Sequence, residues 1–271
     1  MKNFALALLA MAFSASIAQA QIVSSKNSRI TVNKEVVAHN YENYNRISFG
    51  LATDKLKSSD EKVFNFKDLD FDKKSITLKG IDLNYLRGIS LTQKFPLYLE
   101  VGGRLTYDTY KYEDSDYDEG SYYTYNESWS DRLNLLSLSI PVNVTYKYTF
   151  SNGFYIAPFA GIHFRLNLLA NDKWEWEETE IDRYGDVDVD KEDGTMSFFK
   201  ADDEDDDAFF DDGVDTARRF QFGGQVGVNL GYKAFNFGFA YYFDSPIYKY
   251  DERVDFKVKT GGVSLTIGYN F

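Results

Sequence analysis

The chain has 271 residues, 44% of them hydrophobic, 17% aromatic and 27% charged, with no cysteine and a formal net charge of −12. A mean hydropathy of −0.42 is too polar for a helical membrane protein, and the missing cysteines exclude a disulfide framework. The acidic balance argues against nucleic acid as a partner, because phosphate binding needs a basic face.

Residues 1–20 read as a secretory signal. Lys2 supplies the positive start, Phe4 to Ala18 is an apolar run, and Ala18-Gln19-Ala20 offers small residues for cleavage. The run is shorter than the ~20 apolar residues that a spanning helix needs. Residues 21–42 are polar and read as a periplasmic lead-in. No later apolar stretch reaches transmembrane-helix length. An exported chain of this kind is either soluble or a membrane β-barrel, since only helices and closed barrels satisfy the backbone in lipid.

From residue 43 onward the pattern alternates with period two. Ile47, Phe49 and Leu51 oppose Arg46, Ser48 and Gly50. Ile81, Leu83, Tyr85 and Ile89 share a face that also holds Arg87, so Arg87 snorkels or a bulge shifts the register there. Leu97 to Tyr107 alternates, with Glu100 and Arg104 on the polar side. The clearest segment is Leu136 to Tyr148, where every even position is apolar or Tyr and the odd positions include Ser137, Asn143 and Lys147. Alternation continues near 154–170, 218–233, 235–247 and 258–271. Period-two alternation gathers the apolar groups on one face of a strand. The spacing therefore predicts eight strands, near 43–54, 76–91, 97–111, 132–149, 154–170, 218–233, 235–247 and 258–271.

Short connections (92–96, 150–153 and 234) alternate with long ones, as expected of an outer-membrane barrel with periplasmic turns and extracellular loops. The polar face carries Arg46, Asp82, Glu100, Arg104, Lys147, His163, Arg165 and Asp244, mixed charges suited to pairing in a narrow bore. Tyr148, Phe154, Tyr232, Tyr269 and Phe271 gather at the short-turn end. Trp174 and Trp176, on the apolar parity of the fifth strand, mark the other interface.

Two long connections stand out. Residues 112–131 mix Tyr and Trp129 with seven acids; they read as an adhesive loop or, preferably, as strands continuing above the membrane. Residues 171–217 hold twenty acids against four basic residues, so the rest of the chain is net positive. Asp186-Val187-Asp188-Val189-Asp190 starts like a calcium loop, but Lys191 and Ser197 occupy the positions where Gly and Glu are required. A solvated, self-repelling loop is the favoured reading, with loose divalent-cation binding as the functional one. Catalysis has little support: the two histidines are His39 and His163, and there is no nucleophile elbow, phosphate loop or zinc pattern. No cofactor is implied.

Residues 137–148 (SLSIPVNVTYKY), 154–161 (FYIAPFAG) and the terminal Gly268-Tyr269-Asn270-Phe271 resemble small outer-membrane barrel proteins of Gram-negative bacteria, in the OmpX/OmpA-like porin superfamily. The resemblance covers about 43–271. It implies an eight-stranded antiparallel up-and-down transmembrane barrel, with ten strands as the alternative if the acidic loop or residues 22–37 add a hairpin. It also implies periplasmic termini, contact with outer-membrane lipid and lipopolysaccharide, and assembly-machinery recognition of the C-terminal strand. A structural or surface-interaction role through long loops is the expected function. A narrow channel is the alternative, and a lipid-modifying enzyme is a third reading with less support.

Overall fold

The computed structural model describes residues 41–58, 75–120, 123–199, 217–249 and 257–271. The proposed signal, nearly all of the lead-in with His39, and the acidic run 202–207 lie outside the described residues. Ten strands make one antiparallel sheet: β1 (Tyr44–Ser58), β2 (Ser75–Ser90), β3 (Leu97–Glu119), β4 (Tyr123–Tyr146), β5 (Tyr148–Thr149), β6 (Phe154–Asp182), β7 (Val187–Ser197), β8 (Phe220–Tyr232), β9 (Phe235–Lys249) and β10 (Lys257–Asn270).

Neighbours follow the order β4-β3-β2-β1-β10-β9-β8-β6, and β4 also pairs with β6, so the sheet closes on itself. The first and last strands meet from Arg46 opposite Asn270 up to Ser58 opposite Val258. The expected count of eight strands is thus corrected to ten. One added strand, β5, is split from the end of β4 at Lys147, whose N–H donates to the Pro96 carbonyl instead (2.8 Å). The other, β7, lies in the acidic segment and pairs with β6 from Ile181 opposite Val187 to Asn171 opposite Ser197. Its charge density hides the period-two signal that an apolar strand shows.

Alternation is realised as an inside-out protein. Ile47, Phe49, Leu51, Ile81, Leu83, Ile140, Phe222 and Ile267 point outward, with Phe49 61% and Leu51 66% exposed. Arg46, Ser48, Asp54, Asp82, Glu100, Thr106, Asn143, His163 and Arg165 point inward and are buried. Arg87 lies outward, and the pairing on both sides of it runs without a register shift, so no bulge is present there. The outward apolar band ends upward at a polar row, where Asn134 accepts from Tyr107 (2.9 Å) and Thr109 (3.3 Å) and donates to Asn171 (3.2 Å). From there to the aromatic ring near Tyr148 the tilted strands rise roughly 35 Å, enough to contain an apolar band about 25 Å tall.

At the short-turn end, Gly153 (φ 83°) and Lys233 (φ 55°) take the left-handed conformation that tight reversals require. At the opposite end β3 and β4 continue past the band as a hairpin, and β6 continues beside them. Residues 112–119 and 123–131 are therefore strand.

Above Asn167 the partner of β6 changes. Below, β6 pairs with β8 (Phe154–Leu166 against Tyr232–Phe220); above, it pairs with β7. A register shift at Leu136/Ser137 of β4 leaves Leu168 as an extra residue of β6. Leu168 and Leu169 both face outward, and side-chain parity reverses above them. Deleting Leu168 is expected to remove the bulge and leave Trp174 and Trp176 on the inward parity, since Asn167 and Leu169 then alternate directly. Acrylamide quenching of tryptophan emission should then match that of the parent chain while the barrel stays folded by gel mobility; a marked change in quenching, which deletion from an unbulged strand would cause, would contradict this assignment.

Candidate functional site

The inward-facing groups form three layers along the bore. At the short-turn end Arg46 grips Glu100 with both terminal nitrogens (3.0 Å each), and the Tyr44 hydroxyl donates to the same carboxylate. Among the described residues Lys147 forms no ion pair; its ammonium sits over the rings of Tyr44 (4.4 Å) and Tyr155 (4.6 Å). Above this lies a cavity of about 50 Å³ bordered by Arg46, Asn84, Arg104, Asn143, Gln225 and Asn229, room for a few waters.

The middle layer is a charge network. Arg165 joins Asp244 (3.0 Å) and Asp54, and His163 Nε2 lies 2.5 Å from the other oxygen of Asp244. Thr260 donates to Asp244 (3.0 Å), and Thr106 donates to Asp82 (2.6 Å). Arg104 stands 3.8 Å from Asp82 with its guanidinium over the Tyr242 ring at 4.1 Å. All eight residues expected in the interior are inward-facing. The structure adds Tyr44, Asp54, Asp108 and Tyr242, which share the inward parity of the expected strands and were legible from the same alternation.

The third layer is apolar. Leu56, Ile76, Leu78, Leu133, Leu135, Ala170, Ile247 and Val258 pack together inside the upper barrel, with Phe198 and Phe199 against them. Phe198 is held there by backbone hydrogen bonds to Ala170 (3.0 Å) and from Ala217 (2.7 Å). Period two places Leu56, Ile76, Leu78, Leu133, Leu135 and Val258 on the polar side of their strands, and Ala170 and Ile247 come inward only through register shifts, so the sequence pattern alone did not single them out.

Of the expected interface aromatics, Tyr148, Phe154, Tyr232, Tyr269 and Phe271 are exposed at the short-turn end, where Phe235 packs edge-on against Tyr269 (5.6 Å). Trp174 and Trp176 require correction. The extra residue at Leu168 puts them on the inward parity with Ala170 and Asp172, above the apolar band. Trp176 lies directly opposite Trp129, and Trp174 opposite Asp131. Trp176 Nε1 donates to Glu127 (2.5 Å), and the Tyr125 hydroxyl donates to Glu127 (2.7 Å) and Glu178 (3.3 Å). Gly194 leaves room for a ring beside it, since a Cβ there would come within 2.6 Å of Trp174. An open concavity of about 660 Å³ spans the four strands at this level, lined by residues including Ser128, Ser130 and the Glu177–Lys191 ion pair (2.9 Å). Among the described residues no three acidic or histidine side chains are placed to hold a metal ion.

Electrostatics differ along this extension. Asp172 is buried, and burial followed by the nearby Asp131 raises its carboxyl from 3.8 to about 7, against backbone N–H donors that pull it down. Burial also raises Asp131. Burial and the Asp114 carboxylate raise Tyr112 to about 12.

No family model matches the sequence, and no curated protein sequence matches it. Similar solved structures include Ail, the attachment invasion locus protein of Yersinia pestis, at 13% identity and TM-score 0.34, covering 85% of this chain and 99% of that one. Neisserial surface protein A matches at 14% identity and TM-score 0.34, covering 84% and 97%. The outer membrane protease OmpT from Escherichia coli matches at 14% and TM-score 0.40, covering 88% and 99%.

Two outcomes follow. Arg165→Met leaves Asp54 and Asp244 buried without their shared cation and is expected to cost about 3–5 kcal/mol, measured by urea unfolding from lipid vesicles. Asp172 has a raised folded pKa, so its contribution is most favourable in acid and is lost as pH rises from about 4 to 7. Amide exchange at 171–182, corrected for intrinsic rates, should show protection falling over that window in the native chain and a flat profile in Asp172→Asn.

Proposed function

We propose that this chain is an outer-membrane β-barrel of the OmpX/OmpA-like kind, sealed along its bore, that acts at the cell surface through the sheet extension above the membrane. The observation that carries this reading is the filling of the bore. The Arg46–Glu100 clamp, the Arg165 network and the apolar layer from Leu56 to Val258 stack in series, leaving a cavity of only about 50 Å³ between the first two. A conducting pore needs a continuous wet path, and a tight apolar layer dewets it. The groups left for recognition lie on β3, β4, β6 and β7 beyond Asn134. The outward band of Phe, Leu and Ile supports contact with lipid and lipopolysaccharide acyl chains, and the exposed aromatic C-terminal strand supports delivery to barrel-assembly machinery.

Orientation follows from the same geometry. Both ends of the closing pair, Arg46 and Asn270, lie with the short turns, which assigns that end to the periplasm and the extension to the outside. The reading assigns no catalytic step: His163 Nε2 is taken by Asp244 inside the bore.

In planar bilayers the purified protein is expected to give no stable conductance steps, and protease applied to intact cells should cut within 112–131 or 171–217 while sparing 91–96 and 147–153. Steady single-channel currents would overturn the sealed reading. On the outward face, Leu83→Arg should cost about 2–4 kcal/mol in reversible unfolding, the penalty for a cation near the centre of a lipid-facing band.

A further inference from the structure

Above the apolar band, period two sorts charge as well as hydrophobicity. On the extension formed by β3, β4, β6 and β7, the face continuous with the bore carries no lysine or arginine among the described residues. Lys111, Arg132, Lys173 and Lys191 all stand on the other face, by the registers that link the four strands. The bore-side face is instead acidic and aromatic. Asp116, Glu127, Glu178 and Asp190 lie directly opposite one another in a single row across four strands. Like charges placed opposite each other destabilise a sheet, so this row is short of positive charge.

The adjacent row holds Trp129 and Trp176, with Trp174 next below. The protein has three tryptophans, and all three are on this face. The bond from Trp176 to Glu127 fixes an indole and a carboxylate relative to each other. At the foot of the face Asp172 is 4% exposed, and its Oδ1 has no hydrogen-bond partner in the described structure. Indole faces attract organic cations, and carboxylates give them charge-assisted hydrogen bonds.

We propose that this face binds a cationic polypeptide segment, rich in lysine and arginine, whose side-chain cations lodge between the tryptophan rings and the Glu127–Glu178 carboxylates. The inference rests on the surface-interaction reading and adds the chemistry of the partner. A divalent metal ion would use oxygens alone, gain nothing from the indoles, and find no converging set of three ligands among the described residues.

The test uses the full barrel in lipid nanodiscs and a decamer of mixed lysine and arginine, read by intrinsic tryptophan emission, which reports from this face alone. The expected result is a saturable change that weakens at least tenfold in a Glu127→Gln/Glu178→Gln double variant and in Trp129→Leu. Folding of each variant is checked by gel mobility. Raising the ionic strength should weaken binding further. A glutamate decamer, a neutral oligosaccharide and calcium chloride form the comparison arms. No response to the basic decamer, an equal response to the oligosaccharide or to calcium, or full binding by the double variant would each overturn the proposal. A barrel that stays closed in bilayers yet ignores the decamer defeats only the cationic assignment, whereas a conducting barrel defeats the underlying reading.

Discussion

The pairing of β1 with β10 is the constraint on which the molecule depends. An open sheet would leave one row of backbone N–H and C=O groups on Tyr44–Ser58 and another on Lys257–Asn270, and hydrocarbon offers them no partner. Closure satisfies both rows along a register that reaches from Arg46 and Asn270 to Ser58 and Val258. Once the ring is closed, the apolar side chains have no interior to occupy, because the bore is too narrow for them and for the polar set together. Phe49, Leu51, Ile81 and Phe222 therefore stay outside, and stability comes from moving that surface into lipid.

Inside the ring the same alternation creates the opposite difficulty. Buried charges are costly unless each one is matched. Arg46 answers Glu100, and Arg165 bridges Asp54 and Asp244, which His163 and Thr260 also contact. These contacts join strands that are distant in sequence, Asp54 on β1 to Arg165 on β6 and Asp244 on β9, so the network braces the bore across its diameter. The upper bore solves the difficulty differently, by burying few acids and, among the described residues, no basic group: Leu78, Leu133, Leu135 and Val258 meet there, with the buried Asp108 opposite Leu135 and Asp172 opposite Leu133. A polar layer below and an apolar layer above make the barrel a closed support for what stands on it.

One extra residue separates the support from the surface it presents. The bulge at Leu168 lets β6 leave β8 and take β7 as its partner, and it reverses which side chains face the axis. Were the alternation to run unbroken through Leu168, Trp174 and Trp176 would face outward; with the bulge they join Trp129 above the mouth of the barrel. The same reversal brings Lys173, and Lys191 paired beside β6, onto the face that Lys111 and Arg132 already occupy by the unbroken alternation of β3 and β4.

The amino-acid sequence determined the strand alternation, the inward set from Arg46 to Asp244, the lipid-facing set and the side on which the short turns lie. Each of these follows from a period of two, which is a local property of an extended chain. The hairpin at 112–131 was legible too, because aromatic residues on both of its arms can pack across it as strands continue above the band. Only the tertiary structure decided the count of ten strands, the apolar layer in the upper bore and the placement of the tryptophans. The two-residue β5 is created by the Lys147 to Pro96 hydrogen bond, and β7 by the exposed edge of β6 beyond Asn167. The face on which Trp174 and Trp176 sit depends on a bulge that no local pattern announces, since Leu168-Leu169 reads equally well as continuous strand. Register is a property of two chains side by side, so a single sequence states which residues alternate without stating where the alternation slips.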